Sequence, residues 1–223
     1  MKGPRIVIAL FVFGAMLTLV AGLSLGTWLT SVQARSVRPE ALEPKLASGR
    51  STSTSITRYA VADASTVATQ AKQNFGTQTT LSVGRGGLAA PVVTHAYLKF
   101  ALSGIPADAI IGSAELQLYL TQWSGTSPYT VAVHSVNKSW TETGITWENQ
   151  PSADVIFDTK AIPASTGYKG WNVTALVQSW VNNSRSNYGL VLVPGPQFNF
   201  SLVFPSREEK TNWPRLVIEY SVP

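Results

Sequence analysis

AYLKFAL at residues 96–102 and SAELQLYL at residues 113–120 are two stretches in which apolar and polar side chains alternate. Their apolar positions share one face, with Ala96, Leu98, Phe100 and Leu102 in the first stretch and Ala114, Leu116, Leu118 and Leu120 in the second. Because successive side chains of a strand point to opposite faces of a sheet, this spacing predicts two strands that are buried on one side.

Four more stretches repeat the alternation, separated by clusters of Gly, Pro, Asn and Ser: YTVAVHSV (129–136), YGLVLV (188–193), FSLVF (200–204) and PRLVIEYSV (214–222). Many short strands with turn residues between them are typical of two-layered all-β folds. We therefore predict an all-β fold, a jelly-roll-like antiparallel β-sandwich. VTALVQSWVNN (173–183) instead has apolar residues at helical spacing, which predicts one short helix with Thr174 as its N-cap.

The N-terminal residues differ in composition from the rest of the chain. Lys2 and Arg5 precede an apolar run at residues 6–26. This arrangement predicts an export segment at residues 1–34, either a signal peptide or an uncleaved membrane anchor, since the run is long enough to span a bilayer. We expect the remainder to be secreted, or held at the outer face of the membrane by residues 6–26.

Residues 35–55 contain two prolines, mixed charge and a Ser/Thr-rich end, which predict a flexible linker ahead of a domain at residues 56–223. The chain has no cysteine, so this domain has to be held by its core without disulfides. Of 17 basic and 12 acidic residues, six basic and two acidic precede residue 56, which leaves 11 and 10 in the domain. This near-neutral balance argues against a nucleic-acid partner.

Six segments of the domain, taken in order, carry a family resemblance: YAVADASTVATQ, NFGTQTTLSVG, YLKFALSGIPADAIIGSAELQLYL, VHSVNKSWTETGITWENQP, GWNVTALVQSWVNNSRSNYGLVLV and FPSREEKTNWPRLVIEY. The sequence resembles the DNRLRE-domain family, also classed as carbohydrate-binding module family 96. The resemblance implies a β-sandwich from an exported prokaryotic protein, of a kind often joined to enzymes that act on polysaccharides.

SWTETGITWENQP at residues 139–151 contains two tryptophans, two glutamates, an asparagine and a glutamine in thirteen positions. Glu142 and Glu148 could form the carboxylate pair of a glycosidase. We favour a structural role, in which Trp140 and Trp147 bury their rings and neighbouring polar side chains satisfy turn backbone groups. The structural signature of the family-like segments is therefore predicted to be Trp140, Glu142, Trp147, Asn149, Pro151, Trp171 and Trp180.

Aromatic side chains in turns are the candidates for binding sugar rings, whose apolar faces pack on such groups. The predicted ligand-binding residues are Trp123, Tyr129, Tyr168 and Trp213, with Lys169 and Arg207 as partners for an acidic glycan. Lys210 and Arg185 could serve in the same way. Arg207 could instead pair with a glutamate of its own segment, SREE.

Cofactor chemistry has little support in the sequence. No Gly-rich phosphate loop and no spaced His/Cys ligand set is present, so we predict no cofactor, with calcium as the open possibility at Asp63, Asp154 or Asp158. His95 and His134 both lie in predicted strands, where packing is a commoner role than acid–base catalysis.

Three functions remain, in this order. The first is an exported, non-catalytic module that binds an extracellular polysaccharide. The second is a structural or adhesive surface domain that contacts other proteins. The third is a polysaccharide lyase or hydrolase, for which Tyr188 with Arg185, or His134 with Lys138, are near each other only in sequence. An exposed row of aromatic side chains on one sheet face would favour the first function.

Overall fold

A computed structural model describes residues 52–87 and 92–223. The predicted export segment and most of the predicted linker lie outside the described residues. The elements are β1 (Thr54–Val67), a 3-10 turn (Ala68–Gln70), β2 (Thr80–Gly86), β3 (Val92–Phe100), β4 (Ile110–Leu120), β5 (Gln122–Ser124), β6 (Tyr129–Val136), β7 (Ala153–Ile162), β8 (Gly167–Asn172), α1 (Thr174–Val181), β9 (Leu190–Pro194), β10 (Phe200–Pro205) and β11 (Arg215–Ser221).

All strand pairs are antiparallel, and β1 links two sheets. Its first half pairs with β11, and the order β1-β11-β4-β8 defines sheet A. Its second half pairs with β3, from which sheet B continues through β2, β10 and β5 and also through β9, β6 and β7. The register of β1 shifts between Ala60 and Ala62, so the strand can bend from one sheet into the other.

The inner faces of the two sheets share one apolar core. Leu116, Leu118 and Ile218 of sheet A and Leu98 and Leu202 of sheet B belong to it, and each is fully buried. Each large apolar side chain buried in this way contributes about 1.5–3 kcal/mol of transfer free energy, which explains how the domain folds without disulfides. The predicted class, an all-β antiparallel sandwich with one short helix, is confirmed.

Two local predictions need correction. Strand β1 begins at Thr54, so the last two residues of the segment predicted as linker belong to the sheet. Thr174 is not the N-cap of α1, because Val173 occupies that position. The Thr174 hydroxyl accepts the backbone N–H of Ala114 on β4 at 2.9 Å, while Asn172 Oδ1 accepts the Thr174 backbone N–H at 3.0 Å.

Helix α1 packs against β4 and buries Leu176, Val177, Trp180 and Val181 in the core. Within the described part of the chain, no helix has both the length and the apolar character needed to cross a bilayer.

Candidate functional site

The outer face of sheet A carries a row of aromatic side chains. Tyr59 on β1, Tyr119 on β4 and Tyr168 on β8 occupy positions that alternate with core residues, and Trp213 lies two residues before the start of β11. Tyr59, Tyr168 and Trp213 are 50%, 37% and 41% exposed. Together with Arg215 of β11, these four residues form what we call the aromatic face.

Strand pairing aligns these residues across the sheet. Tyr59 is the register partner of Arg215, which is opposite Gln117, and Tyr119 is opposite Tyr168. At the usual spacing of about 4.8 Å between strands, four strands give the aromatic face a width of about 14 Å. The face is therefore an extended surface and not a deep pocket.

One end of the aromatic face is held by Arg215. Its guanidinium carbon lies 3.9 Å from the centroid of the Tyr168 ring, and its Nε donates to Gln117 Oε1 at 2.8 Å. The Tyr119 and Tyr168 rings meet edge to face at 5.1 Å. A guanidinium stacked on an aromatic ring and hydrogen-bonded at Nε is fixed in orientation, which leaves a pre-ordered polar group among apolar rings.

The other end is formed by Tyr59 and Trp213, whose rings meet edge to face at 5.5 Å. They line a small pocket of about 160 Å³ together with Ala60 and Arg207. Trp213 Nε1 donates to the backbone oxygen of Glu209, which fixes the indole while the residue stays partly exposed to solvent. Aromatic rings held in this way lose little side-chain entropy when a ligand binds.

The structure brings together only part of the predicted ligand-binding set. Trp213 and Arg207 line the same pocket, and Tyr168 lies at the other end of the same sheet face. Trp123 is 39% exposed but lies on β5, at the edge of sheet B.

Tyr129 and Lys169 were wrongly predicted as accessible ligand-binding residues. Tyr129 is fully buried, its ring stacks on Phe200 at 5.4 Å, and its hydroxyl donates to Gly125 O at 3.0 Å. Lys169 is 8% exposed, since it follows Tyr168 in β8 and points to the opposite side of the sheet, where its amine donates to Ser165 Oγ at 3.0 Å.

The sequence reasoning missed Tyr59 and Arg215 as members of the face, and it did not consider Tyr119 as a binding residue. The signal was the alternation itself, because Tyr119 alternates with Leu118 and Leu120, and Arg215 precedes the inward-facing Leu216.

The loop of residues 137–152 covers the outer face of sheet B. Trp140, 6% exposed, packs edge to face on Tyr97 at 5.7 Å, and its Nε1 donates to Tyr188 O at 2.9 Å. The Tyr97 hydroxyl donates to Pro151 O at 2.7 Å. Trp140 and Ile145 thus close a second, smaller core with Tyr97, so this part of the loop is structural.

The end of the same loop is only partly enclosed. Trp147 is half-buried and packs on the His95 ring at 4.9 Å, so the prediction that both signature tryptophans are buried holds for Trp140 alone. Asn149 holds the turn, because its Oδ1 accepts Thr146 N–H at 2.8 Å and its Nδ2 donates to Gly144 O at 2.9 Å.

The two remaining signature tryptophans belong to the main core. Trp171 is fully buried and its Nε1 donates to Val131 O at 3.1 Å, which joins sheet A to sheet B. Trp180 is 5% exposed on α1, and its Nε1 has no hydrogen-bond partner among the described residues.

Three carboxylates meet where β1, the 137–152 loop and the β10–β11 loop come together. Asp63, Glu142 and Glu208 each place one oxygen within 4.8 Å of the others. Arg207 Nη1 lies 2.8 Å from Glu142 Oε2 and 3.1 Å from Glu208 Oε1, and the Arg207 backbone N–H donates to Asp63 Oδ2 at 2.9 Å. We call these four residues the Arg207 cluster.

Burial and the Arg207 guanidinium both act on the carboxyl groups of the Arg207 cluster. Asp63 is 1% exposed, and desolvation raises its pKa to about 7. Glu142 also accepts the Asp63 backbone N–H at 2.8 Å, so its carboxylate ties two loops and a strand together. Arg207 thus pairs with Glu208 of its own segment, SREE, which was the alternative to a glycan contact in the sequence analysis.

The calcium candidates are dispersed. Asp63 belongs to the Arg207 cluster, whereas Asp154 pairs with Arg185 at 2.7 Å and Asp158 accepts Asn172 N–H at 2.8 Å. Within residues 52–87 and 92–223, no group of three potential metal ligands includes Asp154 or Asp158. Calcium therefore stays a prediction, and the Arg207 cluster is where its oxygen ligands are closest together.

The catalytic candidates are engaged in structural contacts. Burial lowers the pKa of His95 to about 4, so its ring is neutral near pH 7. His134 Nδ1 contacts Asp154 O at 3.2 Å, and Arg185 pairs with the Asp154 side chain. The Glu142 carboxylate is engaged in the Arg207 cluster.

Comparison with known proteins assigns the chain to a family. The profile of carbohydrate-binding module family 96 matches residues 54–220. The chain belongs to this family. The match runs from the first residue of β1 to one residue before the end of β11, so it covers the whole sandwich.

A curated relative is similar to part of the module. It is a gellan lyase from a Bacillus species, 28% identical over 131 residues. The aligned region is 56% of this chain but 5% of the relative, so the chain corresponds to a small portion of that protein.

Proposed function

We propose that this protein is an exported, non-catalytic module that binds an extracellular polysaccharide through the aromatic face of sheet A. The observation that carries the proposal is the row of Tyr59, Tyr119, Tyr168 and Trp213 on the outer face of sheet A, in which Tyr59, Tyr168 and Trp213 are exposed. Sugar rings pack on such surfaces, and fixed polar groups orient their hydroxyls.

The two outer faces of the sandwich support this choice of surface. The 137–152 loop covers part of sheet B with its own apolar residues, whereas the outer positions of sheet A are half-buried or exposed along all four strands. An elongated surface about 14 Å wide suits several units of a glycan chain better than a single sugar. Family membership and similarity to a lyase named for gellan support a polysaccharide as ligand.

The contacts of the catalytic candidates support a binding role without chemistry. Glycosidic hydrolysis needs a proton donor and a second carboxylate on either side of the bond, and elimination needs a base beside a charge-neutralising group. Glu142 is held by Arg207 and by the Asp63 backbone, and His95 is half-buried against Trp147. Residues 1–34, as the export segment, support an extracellular location.

The test is affinity electrophoresis and titration calorimetry of the purified protein with neutral and acidic polysaccharides, with reducing ends and unsaturated products assayed in the same samples. Trp213→Ala and Tyr168→Ala should each weaken binding at least about tenfold, equivalent to 1.4 kcal/mol. Ile156→Ala is the matched control, since Ile156 is an exposed apolar residue on β7 of sheet B, 56% accessible.

Product formation would make the protein an enzyme and overturn the non-catalytic proposal. Absence of binding across neutral and acidic polysaccharides would favour the structural or adhesive alternative, in which the sandwich contacts other proteins.

The same purified protein can be used to test whether ligand binding requires calcium. We propose that binding needs no cofactor, with calcium at the Arg207 cluster as the alternative. Equal affinity and an equal thermal midpoint in calcium and in EDTA would support the first. A loss of either in EDTA would support calcium.

A further inference from the structure

A groove of about 360 Å³ lies on sheet B, among β2, β3, β5 and β10. None of these four strands contributes a residue to the aromatic face. The groove is therefore a separate surface feature, and the proposed function leaves it unexplained.

The space in the groove depends on two glycines of β2. A Cβ on Gly84 would lie 2.4 Å from Phe200 O, so the paired strand β10 approaches this residue too closely for a side chain. Gly86, at the end of β2, has no atom of the described residues within 4 Å of its ideal Cβ position and lines the groove. Among residues 52–87 and 92–223, nothing therefore fills the volume above Gly86.

Polar groups surround this volume. Thr94 of β3, Ser124 of β5 and Ser201 of β10 contribute hydroxyls, and Asn199 contributes an amide. Hydroxyl and amide groups that converge on one small cavity are the donors and acceptors that a sugar ring requires.

The charge of the groove has one sign. Arg85 is in its lining, and none of the lining residues that the structure describes carries a carboxylate. Arg85 is oriented by two contacts, since its Nε donates to Gly195 O at 3.2 Å and its guanidinium carbon lies 5.8 Å from the centroid of the Phe198 ring. A guanidinium fixed through Nε can present its two terminal amino groups to an anion.

Aromatic side chains stand next to the groove in the sequence. Phe198, 47% exposed, precedes Asn199, and Trp123, 39% exposed, precedes Ser124 in β5.

We propose that the groove lined by Arg85, Gly86, Ser124 and Ser201 is a second saccharide-binding site, fitted to a sugar unit that carries a negatively charged group. The chain would then hold two glycan segments at once, through sheet A and through sheet B. Two linked sites raise the apparent affinity for a polymer without any further contact, because the second binding event is intramolecular.

Gly86→Leu is the decisive variant, because no atom of the described residues lies within 4 Å of the position where its Cβ would be, and Ile156→Ala on β7, outside both the groove and the aromatic face, is its control. Titration calorimetry uses the full chain with oligogalacturonate, a sulfated oligosaccharide and a neutral cello-oligosaccharide of similar length. We expect Gly86→Leu to weaken binding of the charged probes at least about tenfold at one of two sites, and Ile156→Ala to leave it within about threefold. Arg85→Gln should remove the preference for the charged probes over the neutral one.

The outcomes separate this site from the aromatic face. If Gly86→Leu abolishes binding at one site and Trp213→Ala abolishes binding at the other, both the groove and the aromatic face are supported as binding sites. Loss in Gly86→Leu alone supports the groove and overturns the aromatic face, whereas loss in Trp213→Ala alone overturns the groove. Absence of binding for all three probes also overturns the groove. A stronger response to carboxylate than to sulfate, or the reverse, identifies the charged group.

Discussion

Trp140 is the side chain on which the attachment of the 137–152 loop to sheet B depends. Trp140→Ala should lower the free energy of unfolding by about 3–5 kcal/mol, because it removes a buried aromatic ring and leaves Tyr188 O without its donor. Trp147→Ala is the internal comparison and should cost about 1 kcal/mol, since this ring is only half-buried against His95. Urea unfolding followed by circular dichroism measures both, and equal losses would contradict the difference in enclosure.

Asp63 should make the stability of the protein depend on pH. Burial raises its pKa from 3.8 to about 7, so between these values the folded state holds a proton that the unfolded chain has lost. The stability that Asp63 contributes is fully present below pH 3.8 and is lost as the pH rises through about 7. The loss approaches about 1.4 kcal/mol per pH unit inside that window.

Asp63→Asn is the test of this pH dependence, because an amide oxygen can still accept the Arg207 backbone N–H. We expect the free energy of unfolding of the variant, relative to the native protein, to rise steadily from pH 5 to pH 7. Parallel pH profiles of the two proteins would show that Asp63 is ionised throughout and that the Arg207 guanidinium outweighs its desolvation.

The site residues show which kinds of side chain a sequence identifies. Trp213 and Tyr168 were predicted because large aromatics in turn-like segments are unusual. Tyr129 was wrongly predicted as a binding residue, although its spacing from Val131 and Val133, both core residues, already placed it on the inner face. The alignment of Tyr59 with Arg215 depends on a strand pairing between the two ends of the domain, which local spacing does not reveal.

At the scale of elements, the loop between β1 and β2 is joined to the 137–152 loop through Gly76 and Asn74. Asn74 Nδ2 donates to the backbone oxygens of Glu142 and Ile145 at 2.7 and 2.6 Å. An ideal Cβ on Gly76 would lie 2.1 Å from Glu142 O, so only glycine allows this approach.

Gly76→Ala should therefore separate the two loops and destabilise the domain by about 1–3 kcal/mol, as overpacking does. Gly86→Ala is the control, since its Cβ meets no atom within 4 Å and should change stability by about 0.5 kcal/mol or less. Thermal melts of the two variants distinguish these expectations. A melting temperature for Gly76→Ala equal to that of the control would mean that the loops shift apart at no cost.

The elements with strict alternation were the predictable ones. Strands β3 and β4 were identified from their apolar spacing, and α1 from its helical period. Strand β7 was not identified, because adjacent Val155 and Ile156 are both exposed and its pairing with β6 shifts register twice. The cap of α1 was misassigned because the Thr174 hydroxyl bonds to β4, a tertiary contact that outweighs the local preference.

At the scale of the whole molecule, the two sheets depend on one strand. The core contains inner residues of both sheets, and β1 pairs with β11 in sheet A and with β3 in sheet B. The aromatic face and the groove lie on different sheets, so the geometry between the two proposed sites is set by the same strand. The sequence predicted the sandwich from strand count and turns, but not this connection, since a single long alternating stretch does not show where it changes sheets.

A chain that begins at residue 52 should fold and unfold in one cooperative transition, because all the buried apolar residues of the described chain lie between Ala60 and Ile218. A chain that begins at residue 68 lacks β1, exposes the edges of β3 and β11 and should not fold. Urea unfolding followed by tryptophan fluorescence and by circular dichroism tests both chains. Coincident curves for the first chain and no transition for the second are expected. Two separate transitions in the first chain, or a cooperative transition in the second, would show that each sheet is stable without the strand they share.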